Sequence, residues 1–192
     1  MKKILFASKN KGKIEELKQI LDELDIYIIS LSEINKAIEI EESGNTFEEN
    51  ALIKAKLVYD SVGIPTIADD SGLVVEQLNG APGVYSARYA GKEGNAKKNN
   101  IKLLEELKRY SKPHNAKFVC VAVYYDGKNI YSEIGELKGE IIEEERGTNG
   151  FGYDPLFLPY GFAETLAELE PKVKNSISHR YNAFQNLKKH LI

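Results

Sequence analysis

The chain lacks most of the features that would place it in a specialised class of protein. It contains one cysteine among 192 residues, so Cys120 cannot form a disulfide within the chain. Cys120 lies in an apolar run, which favours a buried structural thiol over a nucleophile. No apolar run approaches the length of a membrane span, and the apolar residues that follow Met1-Lys2-Lys3 are too few for a signal peptide. We therefore expect a cytoplasmic protein with no membrane partner.

An excess of positive charge is also missing. The chain has 29 acidic and 26 basic residues and a formal net charge of −3. This balance disfavours binding to a nucleic-acid backbone, although a local basic pocket could still hold a small phosphate ligand. Neither the P-loop pattern Gly-x-x-x-x-Gly-Lys-Ser/Thr nor the His-Glu-x-x-His and Cys/His spacings of zinc sites occur. We expect no nucleic-acid partner and no zinc.

The periodicity of apolar residues predicts an α/β fold with a mixed sheet. Residues 3–7 and 26–29 are short apolar runs that are typical of buried strands, with an amphipathic helical pattern between them. Thr46 and Glu49 have the spacing of a capping box at the start of a second helix. Asp126-Gly127 separates two apolar runs and predicts a hairpin. Helices alternate with strands early and a hairpin follows late, which indicates a mixed sheet.

Residues 8–13 join the first predicted strand to the first helix. Ser8, Asn10 and Lys13 offer hydroxyl, amide and ammonium donors beside a helix N-terminus, a place that favours anions such as a polyphosphate. Ser8 or Asn10 could instead simply cap the helix. The segment alone leaves both interpretations open.

Two adjacent carboxylates occur in Ala68-Asp69-Asp70-Ser71-Gly72. We expect a brief strand over residues 66–68 that ends at this pair. Crowded carboxylates are unfavourable unless a cation or a proton relieves them, and Mg²⁺ prefers such oxygen ligands. The pattern therefore favours metal-assisted hydrolysis over a simple turn, which would explain one aspartate but not two. The Glu41-Glu42 pair, in the acidic loop of residues 35–46, could complete the site or could be solvated surface.

Two further segments carry candidate residues. In residues 147–155, three glycines in six positions would let the backbone approach a ligand, and Phe151 and Tyr153 could stack on a base or turn into the core. Later, Lys174 and Ser178 are four residues apart, so a continuous last helix would place them on one face. His179 follows, and an isolated histidine on a helix is more often a surface or core residue than a functional one.

Taken together, these segments resemble the inosine triphosphate pyrophosphatase family. The resemblance covers nearly the whole chain and rests on five stretches in the family's order, which are residues 7–13, 41–51, 68–72 with 80–89, 147–155 and 176–180. Its bacterial and archaeal branch is the more similar. The resemblance implies one domain over residues 1–192, elongated, with a central mixed sheet flanked by helices and a cleft between two lobes.

The resemblance also implies an activity and its requirements. The reaction would be Mg²⁺-dependent hydrolysis between the α and β phosphates of ITP, dITP and XTP, which gives a nucleoside monophosphate and pyrophosphate and removes deaminated purines from the nucleotide pool. A homodimer is implied as well. A pocket of hydrogen-bond donors would favour the 6-oxo group of these purines over the amino group of adenine.

Site residues follow from the resemblance position by position. Asp70 would activate water and contact Mg²⁺, with Asp69 and Lys13 supporting catalysis, and Glu41 is the preferred second metal ligand, with Glu42 as the alternative. The substrate would be bound by Ser8, Lys9, Asn10, Lys11, Gly12, Lys13, Ser71, Phe151, Gly152, Tyr153, Asp154, Lys174, Ser178, His179 and Arg180.

The sequence departs from the family pattern at two positions. Lys9 stands where a small residue is frequent, and Asn149 replaces a common glycine. Neither residue is assigned to catalysis, so the departures bear on kinetics and not on the reaction. The rival hypotheses are a Maf-type nucleotide pyrophosphatase, which Ser178-His179-Arg180 disfavours, and a nucleotide sensor without turnover, which gains nothing from crowded carboxylates.

Overall fold

A computed structural model describes residues 1–34, 38–91 and 94–192. Within the described ranges the elements follow one another as β1 (Lys2–Phe6), α1 (Lys11–Ile20), β2 (Ile26–Ser30), α2 (Phe47–Val62), β3 (Thr66–Val75), α3 (Ala96–Leu107), β4 (His114–Tyr125), β5 (Ile130–Ile141), β6 (Phe157–Pro159), α4 (Pro171–Ile177) and α5 (His179–Lys188).

The strands of the described chain form one six-stranded sheet in the order β2-β1-β3-β4-β5-β6. β1 pairs in parallel with β2 and with β3, whereas β5 and β6 pair antiparallel. The predicted α/β fold with a mixed sheet flanked by helices is therefore confirmed. No helix in residues 1–34, 38–91 or 94–192 is long and apolar enough to cross a membrane.

The described residues divide into two compact units. The first consists of Met1–Asp70, Cys120–Gly135 and Arg180–Ile192, and the second of Ser71–Val119 and Glu136–His179. The prediction of one domain over residues 1–192, its elongated outline and its cleft stay predictions. Each unit has a buried apolar core of its own.

In the first unit, both faces of the sheet are covered. Ile4 and Phe6 of β1 pack with Leu17 of α1 and Phe184 of α5, and the rings of Phe6 and Phe184 meet edge to face at 5.8 Å. Leu5 points to the opposite side, where it packs against α2. Burial on both faces explains why residues 4–7 are continuously apolar and do not alternate.

The second unit has a core between α3 and the strands. Leu103 and Leu107 of α3 pack with Leu73 of β3, Phe118 of β4 and Phe157 of β6. Residues 147–155 lie between β5 and β6, and Tyr153 belongs to the same core. The glycine-rich segment is thus anchored to the unit by one of its own aromatic residues.

One strand differs from the prediction in a way that concerns the site. β3 does not end before the two aspartates but continues from Thr66 to Val75, so Asp69 and Asp70 are strand residues. Both carboxylates are buried, and each contacts a cation. Charges that are paired with cations can be accommodated inside a strand, so the prediction that this strand ends at residue 68 was wrong.

The last predicted helix is also interrupted. α4 ends at Ile177, Ser178 has extended backbone with φ −65° and ψ 150°, and α5 begins at His179. A serine with this conformation is a favourable residue directly before a helix, and this competes with continuation of α4. The prediction that Lys174 and Ser178 share a helix face was therefore wrong.

Two local predictions are confirmed. The Thr46 side chain accepts a hydrogen bond from the backbone of Glu49, whose side chain reaches back, so a capping box starts α2. Its end is Gly63, a residue with φ +68°. β4 and β5 are neighbours in the sheet on either side of the Asp126 turn.

Candidate active site

Residues 8–13 hold each other in place where β1 leads into α1. Asn10 caps α1 and accepts a hydrogen bond from the Lys13 backbone at 3.2 Å. The Ser8 hydroxyl accepts one from the Asn10 backbone at 3.2 Å. The capping interpretation is therefore correct, but it leaves the Asn10 amide N–H groups and the Ser8 O–H available as donors.

These residues line an open cavity of the first unit. Its volume is about 440 Å³, and its polar lining residues are Ser8, Lys9, Asn10, Lys13, Glu42, Lys54 and Asp69. Lys9 is exposed, as are Lys11 and Gly12 at the start of α1. The cavity thus combines cationic side chains with a helix N-terminus, a combination that suits a polyphosphate.

Asp69 is the most deeply buried carboxylate of this cluster, with 3% exposure. Its Oδ2 lies 2.8 Å from Lys13 Nζ and 3.5 Å from Arg180 Nε, and Arg180 Nη1 is 2.7 Å from Glu16 Oε2. Burial alone would raise the pKa of Asp69, but the charges of Lys13 and Arg180 outweigh it and hold that pKa well below the usual range. Asp69 is a permanent anion that fixes Lys13.

Asp70 has a different environment. Its carboxylate accepts hydrogen bonds from Asn50 Nδ2 at 3.1 Å and from Lys54 Nζ at 3.2 Å. Burial raises the pKa of Asp70 above its ordinary value; the charge of Lys54 opposes this, and the charge of Glu42 adds to it. Of the two aspartates, Asp70 is the one suited to accept a proton.

Sequence reasoning missed two residues of this cluster, Asn50 and Lys54. They lie four positions apart on α2, next to its apolar stripe, and Lys54 is only 7% exposed. The signal was present, because a lysine on the buried side of a helix needs an anionic partner. Lys54 has two such partners, Glu42 at 2.9 Å and Asp70 at 3.2 Å.

The structure distinguishes the two glutamates that were considered as cation ligands. Glu41 is exposed, whereas Glu42 is joined to Asp70 through Lys54. No group of three or more His, Cys, Asp or Glu side chains with a metal-binding arrangement occurs in the part of the chain that the structure describes. Glu42 and Asp70 are thus the carboxylates that could hold a cation jointly with a ligand's own oxygens.

The second unit contains the glycine-rich loop. The Asp154 carboxylate accepts hydrogen bonds from the Phe151 backbone at 2.8 Å and from Lys174 Nζ at 2.6 Å. Phe151 is 53% exposed, and Lys174 Nζ lies 4.9 Å from the centre of its ring. An exposed aromatic ring can stack on the base of a nucleotide, and the ammonium group beside it can donate a hydrogen bond to that base.

Tyr153 does not share this exposure. Its ring is buried, and its hydroxyl donates a hydrogen bond to the Ser86 carbonyl at 2.7 Å. The hypothesis that both aromatics stack on a base therefore fails for Tyr153, because its ring is part of the core. Tyr153 anchors the loop, whereas the Phe151 ring is exposed.

The remaining predicted residues are distributed between the units. The His179 ring stacks on Phe118 at 4.9 Å in the second unit, where Ser178 is buried and Ser71 is half-buried in β3. Arg180 belongs to the first unit, and its guanidinium binds Asp69 and Glu16. Its expected contact with the base stays a prediction beside this observed structural role.

Comparison with known proteins adds to this geometry. The sequence model of the Ham1 family matches residues 4–190. The chain belongs to the Ham1 family. It is 47% identical to a dITP/XTP pyrophosphatase of Clostridium tetani, covering 100% of this chain and 96% of that protein. A dITP/XTP pyrophosphatase of Geobacter sulfurreducens is also 47% identical, with 100% and 97% covered.

Solved structures of the Ham1 family have the same fold. A HAM1 protein from Coxiella burnetii is 42% identical and superposes with a TM-score of 0.93 over 100% of this chain and 98% of that one. The Staphylococcus aureus Ham1 protein is 41% identical, with a TM-score of 0.91 over 99% and 98%. The resemblance inferred from the five sequence stretches is thereby confirmed.

Gly150 is a position of the glycine-rich loop where an added side chain would displace an ion pair. It has φ +80°, and an added Cβ would lie 2.2 Å from Asp154 Oδ2 and 2.8 Å from Lys174 Nζ. We expect Gly150→Ala to separate the Asp154–Lys174 pair and to lower the free energy of unfolding, measured in urea. The matched control is Gly152→Ala, where φ is +63° but no atom lies within 4 Å.

The control separates conformational strain from steric clash. Gly152→Ala should lose only the cost of a left-handed alanine, about 1–2 kcal/mol, and Gly150→Ala clearly more. Equal losses in the two variants would show that the close approach at Gly150 is not what the loop requires.

Proposed function

We propose that this chain hydrolyses deaminated purine nucleoside triphosphates, namely ITP, dITP and XTP, to the nucleoside monophosphate and pyrophosphate. The activity would remove deaminated purines from the nucleotide pool. The observation that carries the proposal is the pair of aspartates on β3, one fixed as an anion by Lys13 and Arg180 and one buried beside Lys54 and Glu42. Full-length similarity to proteins named dITP/XTP pyrophosphatase supports it.

The phosphates would bind at residues 8–13. Lys13 supplies a positive charge held in place by Asp69, and the start of α1 supplies backbone N–H groups. Lys9 adds an exposed charge on the same cavity. Together these groups would stabilise the negative charge that develops on the leaving pyrophosphate.

Asp70 would act as the general base. It would accept a proton from the attacking water while the bond between the α and β phosphates breaks and pyrophosphate leaves. A base must be unprotonated but able to take up a proton, and the raised pKa of Asp70 suits this role better than the depressed pKa of Asp69. Asn50 and Lys54 would orient its carboxylate.

Mg²⁺ would be held by Asp70 and by Glu42, which we prefer to Glu41 because Glu42 lies beside Lys54. The carboxylate oxygens of this pair fit a hard cation, and the charge of Glu42 raises the pKa of Asp70, so a cation bound to both would offset negative charge. When bound, Mg²⁺ would neutralise charge on the phosphates.

The purine base of the nucleotide would be recognised in the second unit. Phe151 offers a face for stacking, and Lys174 and His179 are donor-bearing side chains there. Donors favour an acceptor at the 6-position of the purine, and an adenine amino group would leave them unpaired.

The proposal extends to a homodimer, as the resemblance implies, and to a cytoplasmic location.

One prediction of the proposed function concerns which purine base the enzyme accepts. Pyrophosphate release should be measured with ITP, dITP, XTP, GTP and ATP under identical conditions. We expect kcat/KM for ITP to exceed that for ATP by about 100-fold or more, because buried donors reject a base that leaves them unpaired. Equal turnover of ATP and ITP would refute the proposed specificity.

A second prediction concerns the general base. In Asp70→Asn, kcat should fall by about 10²–10⁴-fold with little change in KM, as expected when a proton acceptor is removed. Retained turnover would eliminate Asp70 as the base. A wild-type chain that binds ITP without hydrolysing it would instead indicate a nucleotide sensor.

Unfolding of the same variant and of Asp69→Asn near pH 7 provides the control. The depressed pKa of Asp69 means that its ionised form stabilises the fold above the ordinary aspartate pKa of 3.8, so Asp69→Asn should lower the free energy of unfolding. The raised pKa of Asp70 has the opposite effect on stability. The stability that its protonated form contributes is fully present below pH 3.8 and is lost as the pH rises through the raised pKa. Asp70→Asn should therefore lose less stability than Asp69→Asn, although Lys54 loses one of its two anionic partners.

A third prediction distinguishes the metal ligands. EDTA should abolish hydrolysis of ITP, and added Mg²⁺ should restore it. We expect Glu42→Gln to raise the Mg²⁺ concentration for half-maximal activity by about tenfold or more, while Glu41→Gln changes it little. The opposite order would identify Glu41 as the ligand, and full activity in EDTA would exclude Mg²⁺ dependence.

A further inference from the structure

Asn100 of α3 is a buried polar residue that the proposed chemistry does not use. Like its neighbour Asn99 it is only 4% exposed. The two amides serve different partners. Asn99 binds the backbone of Ser86, Ala87 and Ala90, whereas Asn100 reaches the glycine-rich loop.

One amino group of Asn100 holds this loop at two points. Its Nδ2 donates to Glu145 Oε1 at 2.7 Å, just before the loop begins, and to the Gly152 carbonyl at 3.2 Å, inside it. Both contacts lie within the second unit. Asn100 therefore links the segment just before the loop to Gly152 inside it, seven residues later in the sequence.

The loop needs such a support. Gly147, Gly150 and Gly152 all have positive φ, and glycine has the greatest conformational freedom of any residue to lose. Phe151 lies between two of them. Asp154 fixes the backbone N–H of Phe151, and Asn100 fixes the carbonyl of the residue that follows.

We propose that Asn100 is a positioning residue that fixes the Phe151 ring for the base of the nucleotide. The part that concerns the base rests on the proposed function. Asn100 acts through the backbone of Gly152 and does not itself contact the ligand. Removing it should leave the loop free to move about its glycines, so that the ring is ordered only when a base binds.

The other end of the amide argues for this specific role. Asn100 Oδ1 is buried and has no hydrogen-bond partner among the protein groups that the structure describes. An unsatisfied buried acceptor is unfavourable, so its removal in Asn100→Leu should offset part of the stability that is lost with the two hydrogen bonds of Nδ2. The amide is thus better explained by the loop than by packing of α3.

The experiment uses the absence of tryptophan from the chain. Phe151→Trp places a single tryptophan on the loop, whose fluorescence is excited selectively over that of the 11 tyrosines, and Asn100→Leu is then compared in this background. We expect lower steady-state anisotropy of the reporter in Asn100→Leu, with a modest fall in the thermal midpoint. Asn99→Leu is the matched control, equally buried on the same helix, and should lose stability while the reporter anisotropy stays unchanged.

Kinetics without the reporter test the consequence. In Asn100→Leu, KM for ITP should rise about three- to tenfold, as expected for one lost hydrogen bond, with a smaller change in kcat. Inorganic triphosphate has no base, so its inhibition constant should not change. Asn100→Asp, which keeps the shape but faces two acceptors, should raise KM at least as much.

The outcomes separate this proposal from the proposed function. The role of Asn100 would be overturned if the reporter anisotropy is unchanged in Asn100→Leu. It would also be overturned if the anisotropy falls equally in Asn99→Leu. An equal rise in KM for ITP and in the inhibition constant for triphosphate would overturn it as well. A wild-type chain that does not hydrolyse ITP would contradict the proposed function, while the anisotropy comparison would still decide whether Asn100 fixes the loop.

Discussion

The candidate site depends on the buried ion pairs of Asp69. Lys13 and Arg180 both approach one carboxylate oxygen, and Glu16 binds the far side of Arg180. Removing one member of such a group would leave a charge buried without its partner, which is more unfavourable than the pair itself is favourable. The position of Lys13, and with it the cavity beside α1, therefore depends on Asp69 remaining ionised.

The same arrangement gives two adjacent aspartates opposite properties. Side chains alternate along a strand, so Asp69 and Asp70 of β3 point in different directions. Asp69 meets two cations and becomes a fixed anion, whereas Asp70 meets an amide, one lysine and the nearby charge of Glu42. A strand that ended before the aspartates, as the sequence suggested, would not impose this alternation. The continuous strand is what assigns different roles to identical side chains.

Much of the fold could be predicted because its signals are local. The capping box at Thr46, the turn at Asp126 and the continuous apolar residues of β1 each depend on neighbours in the sequence. The site was predicted less completely. The partners of Lys54 come from two other segments, and the choice between Glu41 and Glu42 depends on where α2 places that lysine. The hydroxyl contact of Tyr153 with Ser86 spans 67 residues, so no local pattern could show that its ring is buried.

The hydrogen bonds within residues 8–13 have a consequence for how tightly a ligand can bind. Ser8 and Asn10 hold the backbone of their own loop, and Asp69 holds Lys13. Groups that the protein has already ordered lose little conformational entropy on association, so more of the contact energy is retained as affinity. Binding at this loop should thus be rapid and limited by encounter, with no slow rearrangement of the backbone preceding it.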